Sequence, residues 1–116
     1  MRRTYLDYVL DILSSIDEVV EFVEGLDFGG FVKDRKTVNA VIRSLEVMGE
    51  AVKKIPVEVR DRYPNIPWKH IAGMRDKLIH EYHGVDLEIV WKVIKEEIPP
   101  LRPAFERVLK DLGKGE

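Results

Sequence analysis

The chain has 116 residues, 45% of them hydrophobic and 34% charged, with 19 Lys plus Arg against 21 Asp plus Glu. At roughly 100–200 residues per domain, that length reads as one domain over 1–116, with enough chain for one core. The composition excludes a disordered polyelectrolyte, the net charge of −2 gives no sign of a dedicated polyanion binder, and the absence of cysteine excludes disulfides, thiolate metal sites and cysteine nucleophiles.

The first predicted element runs from about Thr4 to Glu24. Tyr5, Val9, Ile12, Leu13, Ile16, Val20 and Val23 recur at spacings of three and four, a helical stripe. Thr4 with Asp7 resembles a capping box. Gly25, Gly29 and Gly30 then read as a loop. A second helix spans about Asp34 to Ile55, with Asp34 as N-cap, Pro56 as its stop, and a stripe of Val38, Val41, Ile42, Leu45, Met48, Val52 and Ile55. Gly49 inside it costs about 1 kcal/mol relative to Ala, a cost that a close helix–helix approach would explain.

Three prolines between Pro56 and Pro67 predict a short helical turn and then an extended connection. A third helix follows over about Pro67 to Tyr82, with Gly84 suited to its C-terminal cap. The fourth starts at the N-cap Asp86 and runs to about Ile98, where Pro99 and Pro100 are expected to break or kink the chain. Leu101, Phe105, Val108, Leu109 and Leu112 mark a last amphipathic helix. With no sustained two-residue alternation, the expected fold is all-α: an antiparallel four-helix-type bundle with additional short helices. No stretch reaches the roughly 18 apolar residues of a membrane span, and the N-terminus lacks the apolar core of a signal peptide, so the expected compartment is the cytoplasm.

Charge is uneven along the chain. Residues 1–30 carry two cations against seven acids, whereas residues 53–77 carry seven cations against three acids. The basic stretch leads into Met74-Arg75-Asp76-Lys77-Leu78-Ile79-His80-Glu81-Tyr82-His83-Gly84. Arg75 and Tyr82 are seven apart and fall within about 20° of one another on a helix, on the stripe of Ile71 and Leu78. A charged Arg on an apolar stripe is expensive unless it is paired or faces a site. His80 lies about 140° round from Arg75, so the two converge only in a groove between helices or across a two-fold axis.

The spacing Arg75-x-x-x-x-His80-x-Tyr82 resembles the signature of HepT-like proteins of the HEPN superfamily. The segments Arg43-Ser44-Leu45-Glu46-Val47-Met48-Gly49-Glu50-Ala51 and Trp68-Lys69-x-Ile71-Ala72-Gly73-Met74-Arg75 resemble that family's second helix and its approach to the motif. The resemblance implies a helical bundle that forms a homodimer, with Arg75 and His80 of both protomers lining one cleft. It implies a metal-independent endoribonuclease toxin acting on RNA, without a cofactor. The implied partner is a minimal nucleotidyltransferase antitoxin that silences the toxin by adenylylating the motif tyrosine, here Tyr82.

The residue types suit that chemistry. An RNA 2′-OH attacking the adjacent phosphorus needs a proton acceptor, a proton donor for the 5′-oxygen and stabilisation of the phosphorane. His80 exchanges protons near neutral pH, and Arg75 can hold two phosphate oxygens in a fork. Asp76 stands where many members carry Asn, and its carboxylate could orient Arg75 or repel phosphate. His83 stands where an aromatic is expected, as a second titrating group or a polar helix end. Glu46 and Glu50, four apart on one helix face, are further supporting candidates, with one of them orienting Arg75 and salt bridges to Arg43, Lys53 or Lys54 as the plainer role. His80 and His83 lack a third ligand at matching spacing, so no metal site is expected. Trp68, Tyr5, Tyr8 and Phe22 read as packing or interface residues, and Tyr63 could stack on bases. A non-catalytic nucleotide-binding or partner-docking subunit of a nucleotidyltransferase complex is the alternative reading.

Overall fold

Local capping and apolar periodicity explain where the helices begin and which faces they bury. The computed structural model describes residues 4–80 and 84–114. Thr4 opens α1 (Tyr5–Phe22) with a reciprocal capping box. The Asp7 backbone N–H donates to the Thr4 hydroxyl at 3.4 Å, and the Thr4 N–H donates to the Asp7 carboxylate at 3.0 Å. The buried stripe of α1 is Val9, Ile12, Leu13, Ile16 and Val19. Val20, expected on that stripe, is 51% exposed, and Tyr5 is exposed too. The core takes the i+3 neighbour of Ile16 instead of the i+4 one.

The glycine-rich segment is not a loop throughout. Asp27 caps a short helix, α2 (Phe28–Lys33), by accepting from the Gly30 N–H at 2.7 Å. Phe31 within it is fully buried and lies 5.1 Å from the Trp91 ring. Burying one large aromatic outweighs the propensity cost of Gly29 and Gly30.

Asp34 caps α3 (Arg35–Lys54), accepting from the Thr37 N–H at 3.1 Å. Its stripe is buried as expected, with Ile42 partly so. The turn after Pro56 is α4 (Val57–Arg60), and α5 (Trp68–His80) follows. Trp68 is 8% exposed, meets Phe105 edge-on at 5.5 Å, and donates its indole N–H to the Tyr63 carbonyl at 3.0 Å.

Asp86 caps α6 (Leu87–Lys92). Pro99 and Pro100 do not break the chain. A π-helical turn over Val93–Glu97 leads without interruption into α7 (Ile98–Lys114), which also accommodates Pro103. Pro99 and Pro100 lack the N–H that would bond back into the preceding turn, and a wider turn there eases their rings past its carbonyls. The apolar series Val90, Val93, Ile94, Ile98, Leu101, Phe105 and Val108 is buried through the whole run.

The fold is all-α. Helix α3 lies between α1 and α5, and α7 packs on the other side of α1. Arg102 of α7 reaches Asp17 of α1 at 2.9 Å. Among the described residues no helix is long and apolar enough to cross a membrane.

Candidate functional site

Helix α5 presents Ile71, Arg75 and Leu78 in succession towards α3. Ile71 and Leu78 are 2% and 5% exposed and anchor the stripe in the core. Arg75 lies between them over Gly49 of α3. A Cβ added at Gly49 would fall 2.1 Å from the Arg75 Cβ and 3.2 Å from the Ile71 carbonyl. The glycine expected to mark a close helix approach therefore does so, and the side chain that fills the space is the candidate arginine.

Two acids hold the guanidinium. One terminal nitrogen, Nη2, forms an ion pair with Glu50 at 2.9 Å, and the other, Nη1, donates to Asp76 at 3.0 Å. Arg75 Nε is buried without a hydrogen-bond partner. The Lys53 ammonium closes the cluster by donating to the same Asp76 oxygen that Arg75 uses. The Lys53 hydrogen bond, and then that from Arg75, hold the Asp76 carboxyl below the usual carboxylate range. An arginine carries five N–H donors, so the terminal nitrogens keep donors for a phosphate oxygen.

The cluster borders an open groove of about 430 Å³ between α1, α3 and α5. Val47, Ala51 and Ile79 supply apolar lining, Tyr8 and Asp11 contribute from α1, and Arg43, Glu46, Glu50, Lys54 and Arg75 line the remainder. Such a space suits a polar ligand of nucleotide size better than an enclosed apolar one.

The expected site residues separate into groups. Arg75, Asp76 and Glu50 are brought together. Glu46 lines the same groove but lies 3.9 Å from Arg43, so the two carboxylates four apart on α3 serve different partners. Tyr82 and His83 lie outside the described residues, as does the side chain of His80. His70 pairs with Glu97 on the protein surface. The Tyr63 hydroxyl donates to Asp111 at 2.8 Å, fixing the ring on α7. Lys53, expected only as a salt-bridge partner of Glu46 or Glu50, pairs with Asp76 instead. Its signal was the Glu50/Lys53 pair, three apart on one face of α3, set against Arg75-Asp76 on α5 in complementary charge order. Among the described residues, no three His, Asp or Glu side chains form a group that could hold a metal ion.

Residues 12–108 match the family model described as "Ribonuclease HepT-like". The chain is 49% identical over 111 residues to "Putative RNase MJ0125" of Methanocaldococcus jannaschii, covering 96% of each chain. It is 47% identical over 110 residues to "Probable ribonuclease HepT" of Thermococcus cleftensis, covering 95% of this chain and 100% of that one. It is also 47% identical over 108 residues to "Putative RNase TTE0752" of Caldanaerobacter subterraneus subsp. tengcongensis, covering 93% and 94%. No solved structure matches it.

Proposed function

This chain belongs to the HepT-like ribonuclease family, and on that premise we propose that it is an endoribonuclease with Arg75 and His80 as its catalytic residues. The observation that carries this reading is the setting of Arg75. It is a guanidinium clamped by Glu50 and Asp76 at the edge of an open groove, with its side chain 26% exposed. A residue serving packing alone would not need that combination of fixed orientation and access.

In the proposed reaction, the 2′-oxygen bonds to the adjacent phosphorus and the bond from phosphorus to the 5′-oxygen breaks. The products are a 2′,3′-cyclic phosphate and a free 5′-hydroxyl. Arg75 stabilises the charge that builds on the phosphoryl oxygens. His80 takes the 2′-OH proton, and His80 of a second protomer supplies a proton to the leaving oxygen. This route needs no metal, and the homodimer supplies the pair of histidines.

Control of the enzyme is part of the same proposal. A nucleotidyltransferase antitoxin transfers AMP to Tyr82: the phenolic oxygen bonds to the α-phosphorus of ATP, pyrophosphate leaves and the phenolic proton goes to solvent. The added phosphate then competes for Arg75. What supports this is the spacing in the sequence: seven residues, close to two helical turns, separate Arg75 and Tyr82.

Cleavage of a mixed RNA substrate, with and without a chelator, tests this. Wild-type cleavage should persist with chelator, and Arg75→Ala and His80→Ala should each abolish it. Cleavage that survives both substitutions would overturn the assignment. Binding of RNA or nucleotide without any cleavage would favour a non-catalytic subunit. Mass spectrometry after incubation with the nucleotidyltransferase and ATP should find AMP on Tyr82.

A further inference from the structure

A second surface feature lies apart from the Arg75 groove. Helix α4 and the start of α5 enclose an open depression of about 580 Å³. One wall is apolar: Val57, which is 55% exposed, with Pro64 and Pro67. The other carries Arg60 and Lys69, with Asp61 as the acid on the rim. The Arg60 and Lys69 side chains make no ion pair or hydrogen bond with other described residues, and Arg60 Nε is buried without a partner. His70, also at this edge, is tied to Glu97. Arg60 Nε has almost no accessible surface, so an anion in the depression would meet the terminal nitrogens of Arg60 and the Lys69 ammonium.

The depression is also aligned with the Arg75 cluster. Lys69 and Asp76 are seven residues apart, so they share a face of α5, separated by about 10.5 Å of helix rise. Between them lies the exposed Gly73, where an added Cβ would meet nothing within 4 Å. Packing within the chain gives no reason for a glycine here, in contrast to Gly49. What Gly73 leaves is a low strip of backbone joining the depression to the cluster.

We propose that this depression is an accessory subsite for single-stranded RNA. Arg60 and Lys69 hold a backbone phosphate, and the wall of Val57, Pro64 and Pro67 faces the attached ribose or base. The same strand passes over Gly73 to place its scissile phosphate at Arg75. Paired cationic and apolar walls are what a nucleotide, charged at one end and flat and apolar at the other, requires. This inference rests on the ribonuclease reading for the strand's path.

The test is fluorescence anisotropy of the full-length protein with a labelled oligouridine of about 12 nucleotides, across a salt series, with cleavage followed separately. The double variant Arg60→Gln/Lys69→Gln should bind about tenfold or more weakly, and its slope of log affinity against log salt should be shallower by about 1.4. The control Lys33→Gln/Lys36→Gln, at the junction of α2 and α3, should bind like wild type. Should the double variant lose its helical circular dichroism signal, Lys69→Gln alone, at an exposed position, should still reduce the slope by about 0.7. Wild-type affinity and slope in a folded variant would overturn the subsite while leaving the ribonuclease reading intact. Wild-type protein that binds in this way but cuts no RNA would overturn that reading and leave the subsite standing. No binding by wild type would overturn the subsite, with cleavage deciding the ribonuclease reading.

Discussion

Gly49 and Arg75 interlock: the α3 backbone is bare where the first carbons of the Arg75 side chain cross it, and a methyl group at 49 would lie 2.1 Å from the Arg75 Cβ. Gly49→Ala should therefore destabilise the protein by about 1–3 kcal/mol, because overpacking outweighs the helix-propensity gain of about 1 kcal/mol. It should also displace Arg75 and reduce cleavage. Gly73→Ala meets no atom within 4 Å and should instead stabilise the fold by about 0.5–1 kcal/mol. Urea denaturation of both variants reads the opposite signs directly.

Asp76 stands between two cations, and its depressed pKa gives a pH dependence with a definite sign. The stabilisation is fully present above the unfolded carboxylate value, about 3.9, and is lost as pH falls through the lower folded value. Melting temperatures of wild type and Asp76→Asn should differ at neutral pH and converge in acid. At neutral pH the same variant should bind RNA more tightly, since it removes an anion beside the guanidinium proposed to hold phosphate. Anisotropy at fixed salt measures this.

Glu50 should matter to catalysis more than to stability. Its pair with Arg75 is half-exposed, so Glu50→Gln should cost less than about 1 kcal/mol. The guanidinium loses an anchor, however, and the single-turnover cleavage rate should fall about tenfold, in the range expected for a lost orienting contact. RNA affinity should hold or increase. A matching loss of affinity would show that Glu50 contributes to binding and not to orientation.

Phe105 is fully buried and closes edge-on against Trp68. Phe105→Ala should cost about 3–5 kcal/mol and lower the thermal midpoint accordingly. Tryptophan fluorescence should shift as water reaches Trp68.

Much of this was legible because the signals were local. The capping residues Thr4, Asp34 and Asp86 start helices as their side-chain chemistry requires, within three residues of the groups they bond. The stripe carrying Ile71, Arg75 and Leu78 followed from helical period. The misread segments were those decided by distant contacts. Phe31 draws a glycine-rich segment into a helix because Trp91, sixty residues later, completes its packing. Pro99 and Pro100 continue a helix because a π turn widens ahead of them, which no residue pattern in that stretch announces. At the site, Glu50 was a candidate for orienting Arg75, but the Lys53–Asp76 pair spans 23 residues and emerges only once α3 and α5 are side by side.

The four charges of the Arg75 cluster have a kinetic consequence. Two cations, Arg75 and Lys53, are matched by two anions, Glu50 and Asp76, so the resting cluster has no net charge. Its field falls off faster with distance than that of a lone arginine, and it attracts an approaching polyanion weakly before contact. Capture from solution must then be driven by cations elsewhere on the protein. In the proposed reaction, arrival at Arg75 is then an exchange of acceptors, phosphate for carboxylate, and it rewards a correctly seated strand over one that is only negatively charged.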